Sequence, residues 1–147
     1  FTLGAGQSLN GAGTVTATAK TLAVGGGVNP GVSSGDSTGT LTVNGVGLTL
    51  EAAANSTFEI TGTAGGTFDK LIVNGLLIFG GTLNLSTVGS FNVGDTVDLF
   101  DWTTTSGTFS SVIGTSIPGV GSWDTSNIYT DGTITVLPPS GTVISVR

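Results

Sequence analysis

Apolar residues alternate with small polar ones over short windows along most of this chain, the period of two that a half-buried β-strand requires. The windows are residues 14–18, 40–43, 48–50, 57–60, 71–73, 76–79, 82–85, 96–100, 133–136 and 142–146. Gly and β-branched residues interrupt every other kind of spacing, so only residues 50–55 tolerate a helix. An all-β fold is therefore expected. Its interior should be lined by Leu41, Val43, Leu48, Leu50, Ile60, Leu71, Val73, Leu83 and Leu85, on one face of each strand. Between the windows stand Asn10-Gly11, Asn44-Gly45, Asn74-Gly75, Gly25-Gly26-Gly27, Gly65-Gly66, Gly80-Gly81 and Asp131-Gly132, which predict turns because these residues reach positive φ at low cost.

A unit Gly-Thr-apolar recurs at Gly13, Gly39, Gly66, Gly81, Gly107, Gly132 and Gly141, at spacings of 26, 27, 15, 26, 25 and 9 residues. Spacings near 26 suit one coil of a β-solenoid, in which two or three short strands and their turns make a rung and the rungs stack about 4.8 Å apart. A hairpin meander would give turns every 8–12 residues or so. The expected organisation is a β-solenoid over residues 1–88, a β-rich closing module over 89–136, and a Pro-Pro linker with an extended strand tail over 137–147.

Composition narrows the chemistry. The 147 residues include 26 Gly, 26 Thr and 15 Ser, and Lys, Arg, Asp and Glu together make up 8%, where a globular domain carries about 25%. Leu, Ile, Val and Phe still number 43, enough to bury a core. With no His and no Cys, imidazole bases, thiolate nucleophiles and the usual zinc, haem and iron–sulfur ligands are excluded. Three cations against nine acids leave no surface for phosphate, so nucleic acid is not a partner. The longest apolar run, residues 76–79, is far below the roughly 20 residues of a membrane-spanning helix. A cysteine-free, acidic, Thr- and Gly-rich chain suits an extracellular bacterial protein, and a start at Phe1 without Met suggests that a leader has been removed or that the chain is a fragment.

Several runs together resemble a known pattern. They are Asn29-Pro30-Gly31-Val32-Ser33, Gly39-Thr40-Leu41-Thr42-Val43, Ser56-Thr57-Phe58-Glu59-Ile60, Phe68-Asp69-Lys70-Leu71-Ile72-Val73-Asn74-Gly75 and Gly80-Gly81-Thr82-Leu83-Asn84-Leu85. In this order they look like the autotransporter-associated β-strand repeat, found in autotransporter passengers and in large bacterial surface proteins carrying the PEP-CTERM sorting signal. Gly94-Asp95, Leu99-Phe100-Asp101-Trp102, Ser106-Gly107-Thr108-Phe109, Trp123-Asp124-Thr125-Ser126 and Tyr129-Thr130-Asp131-Gly132-Thr133 resemble the module that commonly closes such repeats. The resemblance covers residues 2–136 and implies a surface-exposed solenoid. Where such proteins often carry Val-Pro-Glu-Pro, a hydrophobic helix and basic residues, this chain has Val136-Leu137-Pro138-Pro139 and a strand-like tail.

Three groups of residues are candidates for chemistry. Asp95, Asp98 and Asp101 could offer oxygen ligands to Ca²⁺, but strand geometry puts Asp98 on the face opposite the other two, so no metal and no cofactor is expected. Asp101 beside Trp102, and Trp123 beside Asp124, have the make-up of a glycan subsite, and a glycan-binding or polysaccharide-cleaving β-helix is the alternative function. The simpler expectation is that both Trp anchor the core and that the chain is not an enzyme. The glycines at 4, 6, 11 and 13 lack the helix and Lys of a phosphate loop.

The tail supports a different expectation. Pro138-Pro139 offers no backbone donors and should break the ladder ending at Val136. The strand that follows, Thr142, Val143, Ile144, Ser145 and Val146, either returns to an edge of its own subunit or adds to the next one. The expected partner edge is Phe1, Thr2 and Leu3. Addition between subunits joins copies head to tail into surface filaments or matrix fibres that serve adhesion or a biofilm. A spacer fragment of a longer passenger is a further possibility at this stage.

Overall fold

The computed structural model describes residues 1–18, 21–31 and 37–139, and the strand expected at 142–146 lies outside them. The described residues contain no helix and form a β-solenoid. Its first coil comprises β1 (Thr2–Leu3), β2 (Ser8–Gly11) and β3 (Gly13–Thr16), and its second β4 (Leu22–Val24), β5 (Gly27–Pro30) and β6 (Thr40–Asn44). The third runs through β7 (Leu48–Leu50), β8 (Asn55–Ile60) and the first half of β9 (Lys70–Phe79). The second half of β9 opens the next coil, which continues through β10 (Thr82–Thr87) and, after β11 (Thr96–Asp98), the first half of β12 (Phe100–Gly107). The rest of β12 and β13 (Ser111–Ile113) end the stack.

Equivalent strands of successive coils pair in parallel: β1 with β4, β4 with β7, β7 with β9 and β9 with β12 on one side, and β3 with β6 and β6 with β9 on the next. On the third side β2 pairs with β5, and β8 with β10 and β13. Between β5 and β8 side chains replace part of the ladder. The Val28 N–H donates to the buried Ser56 hydroxyl at 3.0 Å, and the Thr57 N–H to Asn29 Oδ1 at 2.8 Å. Like stacks on like, with Leu41 opposite Leu71, Val15 and Val73 on either side of Val43, and Asn44 opposite Asn74. Stacking of this kind lets short, Gly-rich strands form that would have no stability alone.

Every one of the nine expected core residues is at most 3% exposed. Strands β1, β2, β4, β5 and β13 escape the alternation pattern because their windows are short and Gly-interrupted, and their order comes from the neighbouring coil rather than from propensity. Two of the expected turns lie within strands. Asn10-Gly11 ends β2, where Asn29 Nδ2 donates to Asn10 Oδ1 at 2.6 Å, and Asn74-Gly75 is a bend inside the continuous β9, where Asn74 Nδ2 donates to Asn44 Oδ1 at 2.5 Å. Asn-Gly here satisfies a corner between two sides of the coil instead of reversing the chain. The expected strand at 96–100 is two strands, which turn from one sheet into another at the fully buried Leu99.

The rungs are also longer than the Gly-Thr spacing. Side-chain bonds between equivalent positions span 19 residues from the first coil to the second and 28 to 30 residues later on. Gly13 stands opposite Leu41 rather than Gly39, and Gly107 opposite Phe79 rather than Gly81. The Gly-Thr unit thus marks corners, but different corners in different coils. Gly27 illustrates why a corner needs Gly, since its φ is 126° and a Cβ there would fall on the backbone of Asn55 in the next coil.

The closing module is an antiparallel sheet in the order β11, β16 (Thr133–Leu137), β15 (Gly121–Asp124) and β14 (Ser116–Ile117). The boundary expected at residue 88 falls between β10 and β11, yet β12 and β13 continue the parallel stack beyond it. Aromatic rings gather where stack and cap meet: Phe100 lies 4.7 Å from Phe58, 5.3 Å from Phe79 and 6.0 Å from Phe109, and Tyr129 lies 5.1 Å from Phe79. The first two coils contribute Leu and Val to the same core, so wider coils are filled by larger side chains. No helix among the described residues is long and apolar enough to cross a membrane.

Candidate functional site

The two ends of the solenoid differ. At the cap, the Leu99 N–H donates to Gly132 O at 2.9 Å and the Val136 N–H to Asp95 O at 2.8 Å, which ties β16 onto the last coils. At the other end β1, β2 and β3 each pair on one side only, and no described strand covers their outer edges. Leu3, Leu9, Val15 and Ala17 point into the core from these edges and are only partly buried, while Phe1 is 76% exposed. An unpaired edge backed by half-covered apolar side chains is a template for another strand. Phe1, Thr2 and Leu3 belong to this end, but β1 offers a ladder of only two residues.

At the root of the tail, an open groove of about 530 Å³ lies between the β14–β15 hairpin and Pro139 and is lined by Ile117, Pro118, Val120 and Ser122. Residues 140–147 follow directly from its wall.

The acidic candidates take separate partners. Asp95 accepts the Asn92 N–H at 2.8 Å within a turn. Asp98 and Asp101, expected on opposite faces, both meet Lys70 Nζ, at 2.5 and 2.8 Å. The break at Leu99 rotates the chain between them, so the alternation of a single strand does not apply. Desolvation works against the charge on Lys70, but its hydrogen bonds to Asp101 and Asp98 outweigh that and raise its pKa above the ordinary value. No group of three or more His, Cys, Asp or Glu among the described residues is placed to hold a metal ion.

The two Trp–Asp pairs sit on different sheets. Trp102 is half-buried edge-on to Phe79, with ring centroids 5.6 Å apart. Trp123 is buried against Phe91 and donates through Nε1 to Thr87 Oγ1 at 2.9 Å, which leaves its ring no face for a sugar. Asp124 accepts the Ser126 N–H at 3.0 Å, and hydrogen bonds from Ser126 hold its carboxyl below the usual range.

A residue outside all of these candidate groups carries the largest electrostatic perturbation. Asp69, 1% exposed, accepts the Gly39 N–H on Oδ1 and the Glu59 N–H on Oδ2, both at 2.8 Å, and so joins two coils at a corner. Desolvation raises its pKa to about 6, against the lowering by those two donors and with the help of the Glu59 charge. A lone acid after a Gly-rich turn is its only signal in the sequence.

A carboxyl whose folded pKa lies above its unfolded one binds more protons when folded. Its contribution to stability is complete below about pH 4 and is lost as the pH rises through about 6. The difference of about two pH units corresponds to about 3 kcal/mol. Asp124 and Asp131 act in the opposite sense, but below that window because their pKa values are lowered. Urea titrations are expected to give a higher unfolding free energy at pH 4.5 than at pH 7. Asp69→Asn should be less stable at pH 4.5 and nearly flat across the range, because one amide oxygen cannot serve both donors. Stability that rises from pH 4.5 to 7 in the unaltered chain would contradict this assignment.

No protein-family model, no curated protein and no solved structure matches the chain.

Proposed function

We propose that this chain is a non-enzymatic structural subunit, extracellular and bacterial, that assembles head to tail into surface filaments or matrix fibres. The observation that carries the reading is the inequality of the two ends: three unpaired strand edges at the first coil, and a closed antiparallel cap from which the tail departs at the other. Contact between unlike ends is heterologous and does not close, so it propagates. Strand addition supplies main-chain hydrogen bonds, and alternate side chains entering the core supply register. The low charge density keeps the outer faces free of repulsion along a stack, and the carboxylates are committed to turns, a corner and one lysine rather than gathered for catalysis.

Deleting residues 140–147 tests this. The truncated chain should keep its β-sheet circular dichroism and thermal transition but remain monomeric, while the full chain forms fibres in negative-stain electron micrographs. Fibres of unchanged morphology from the truncated chain would remove the tail from the mechanism.

A further inference from the structure

We infer that the tail docks on β3 of the next subunit, in parallel, with Ile144 opposite Val15 and Val146 opposite Ala17. The inference rests on head-to-tail assembly and specifies its edge, direction and register.

The choice of edge follows from the interior of the first coil. On the β3 side the pairing with β6 sets which positions point inward: Gly13 lies opposite the buried Leu41, and Val15 opposite the buried Val43. With Ala17 two residues on, the inward positions of this side are Gly13, Val15 and Ala17, and Val15 and Ala17 pack against the core while still partly open. Three small residues stand where the coils behind place Leu41 and Val43 and then Leu71 and Val73. The end of the stack is therefore under-filled on this side, and an added strand with large inward side chains would complete it. The β1 edge has two residues and already carries Leu3 inward.

The register follows from the tail. In Thr142-Val143-Ile144-Ser145-Val146, one face presents Thr142, Ile144 and Val146 and the other Val143 and Ser145, and the first is the more apolar. Placing that face inward puts Thr142 over Gly13, Ile144 over Val15 and Val146 over Ala17, with Ser145 outward over Thr16. The parallel direction continues the sense of every ladder on this side.

The same register requires two subunits. The cap is bonded to the rung of β12, and β12, β9, β6 and β3 are successive neighbours on this side. Three spacings separate β3 from that rung, about 14 Å, whereas the three residues from Pro139 to Thr142 reach about 10 Å. A chain cannot place its own tail in this position.

Disulfide trapping tests the inference, and the absence of native cysteine makes the readout specific. Thr16→Cys and Ser145→Cys are made as separate variants, mixed, assembled under mild oxidation and run on non-reducing gels. Opposed residues on adjacent strands lie within disulfide range, so the mixture should give a cross-linked dimer at least tenfold above either variant alone. Thr16→Cys mixed with Ile144→Cys, which tests a one-residue slip, and Thr2→Cys mixed with Ser145→Cys, which tests the β1 edge, should give none. Fibres with no cross-link between the Thr16→Cys and Ser145→Cys variants, or with equal yield from either comparison pair, would overturn the edge or the register. An intramolecular bond in the Thr16→Cys/Ser145→Cys double variant as a monomer would overturn docking between subunits. If the unaltered chain forms no fibres at all, head-to-tail assembly itself falls, a result that microscopy separates from a failed cross-link.

Discussion

Phe100→Ala is expected to lower the unfolding free energy by about 4 kcal/mol, within the usual range for a buried Phe truncated to Ala. Phe100 has no exposed surface, and its ring touches Phe58 from β8, Phe79 from the end of β9 and Phe109 from the segment before β13. These residues come from different sides of the coil, so no single strand can move in to refill the space. A domain of this size loses roughly 2–4 °C in Tm per kcal/mol, which makes a drop on the order of 10 °C measurable by thermal or urea denaturation. Phe100→Leu keeps most of the volume and should cost about 1–2 kcal/mol. A loss below about 1 kcal/mol for the alanine variant would mean that the aromatic junction is not the packing centre.

Gly132→Ala should destabilise by about 3 kcal/mol, by a different mechanism: backbone strain and a steric clash together. Gly132 sits at φ 79°, and an added Cβ would fall inside the van der Waals shell of the Phe100 carbonyl. Its own carbonyl accepts the N–H groups of Leu99 and Phe100, at 2.9 and 3.3 Å, so a shift that relieves the clash also loosens the bond between cap and stack. The left-handed backbone alone costs a non-Gly residue about 1–2 kcal/mol. Gly119 gives the comparison, because it has φ 77° with open space around it, and Gly119→Ala should show that backbone cost alone. Equal losses in the two variants, measured by urea titration, would rule out the close approach at Gly132.

Much of this fold is readable in the chain because its interior obeys a simple alternation. Leu41, Val43, Leu71 and Val73 repeat the same apolar pattern on successive rungs, and the structure stacks them in register. Corners are harder. Asn74-Gly75 satisfies every local rule for a hairpin, yet its amide bonds to Asn44 in the coil behind and the strand runs on, an outcome decided by a residue 30 positions away. The meeting of Asp98 and Asp101 at Lys70 is hidden for a related reason: alternation holds within one strand, and Leu99 is where the chain changes sheets. Asp69 escapes notice because burial, not residue type, makes it unusual. The inward positions at the open end are not legible either, since Gly13 and Ala17 carry no hydrophobic signal and become informative only when set opposite the coil behind them.

The lengthening of the coils has a bearing on how firmly each part of the molecule is held. Closing a coil costs loop entropy that grows only logarithmically, so a rung of 28 residues costs less than about 0.6 kcal/mol more than one of 19. Burial grows faster, from the half-covered Leu3, Leu9 and Val15 of the first coil to the enclosed Phe58 and Phe100 near the cap. Cohesion is therefore graded along the axis: the aromatic end holds itself together, while the first coil has only the second beneath it and nothing above. Its strands are the easiest to peel away, and for the same reason they gain the most from a neighbour.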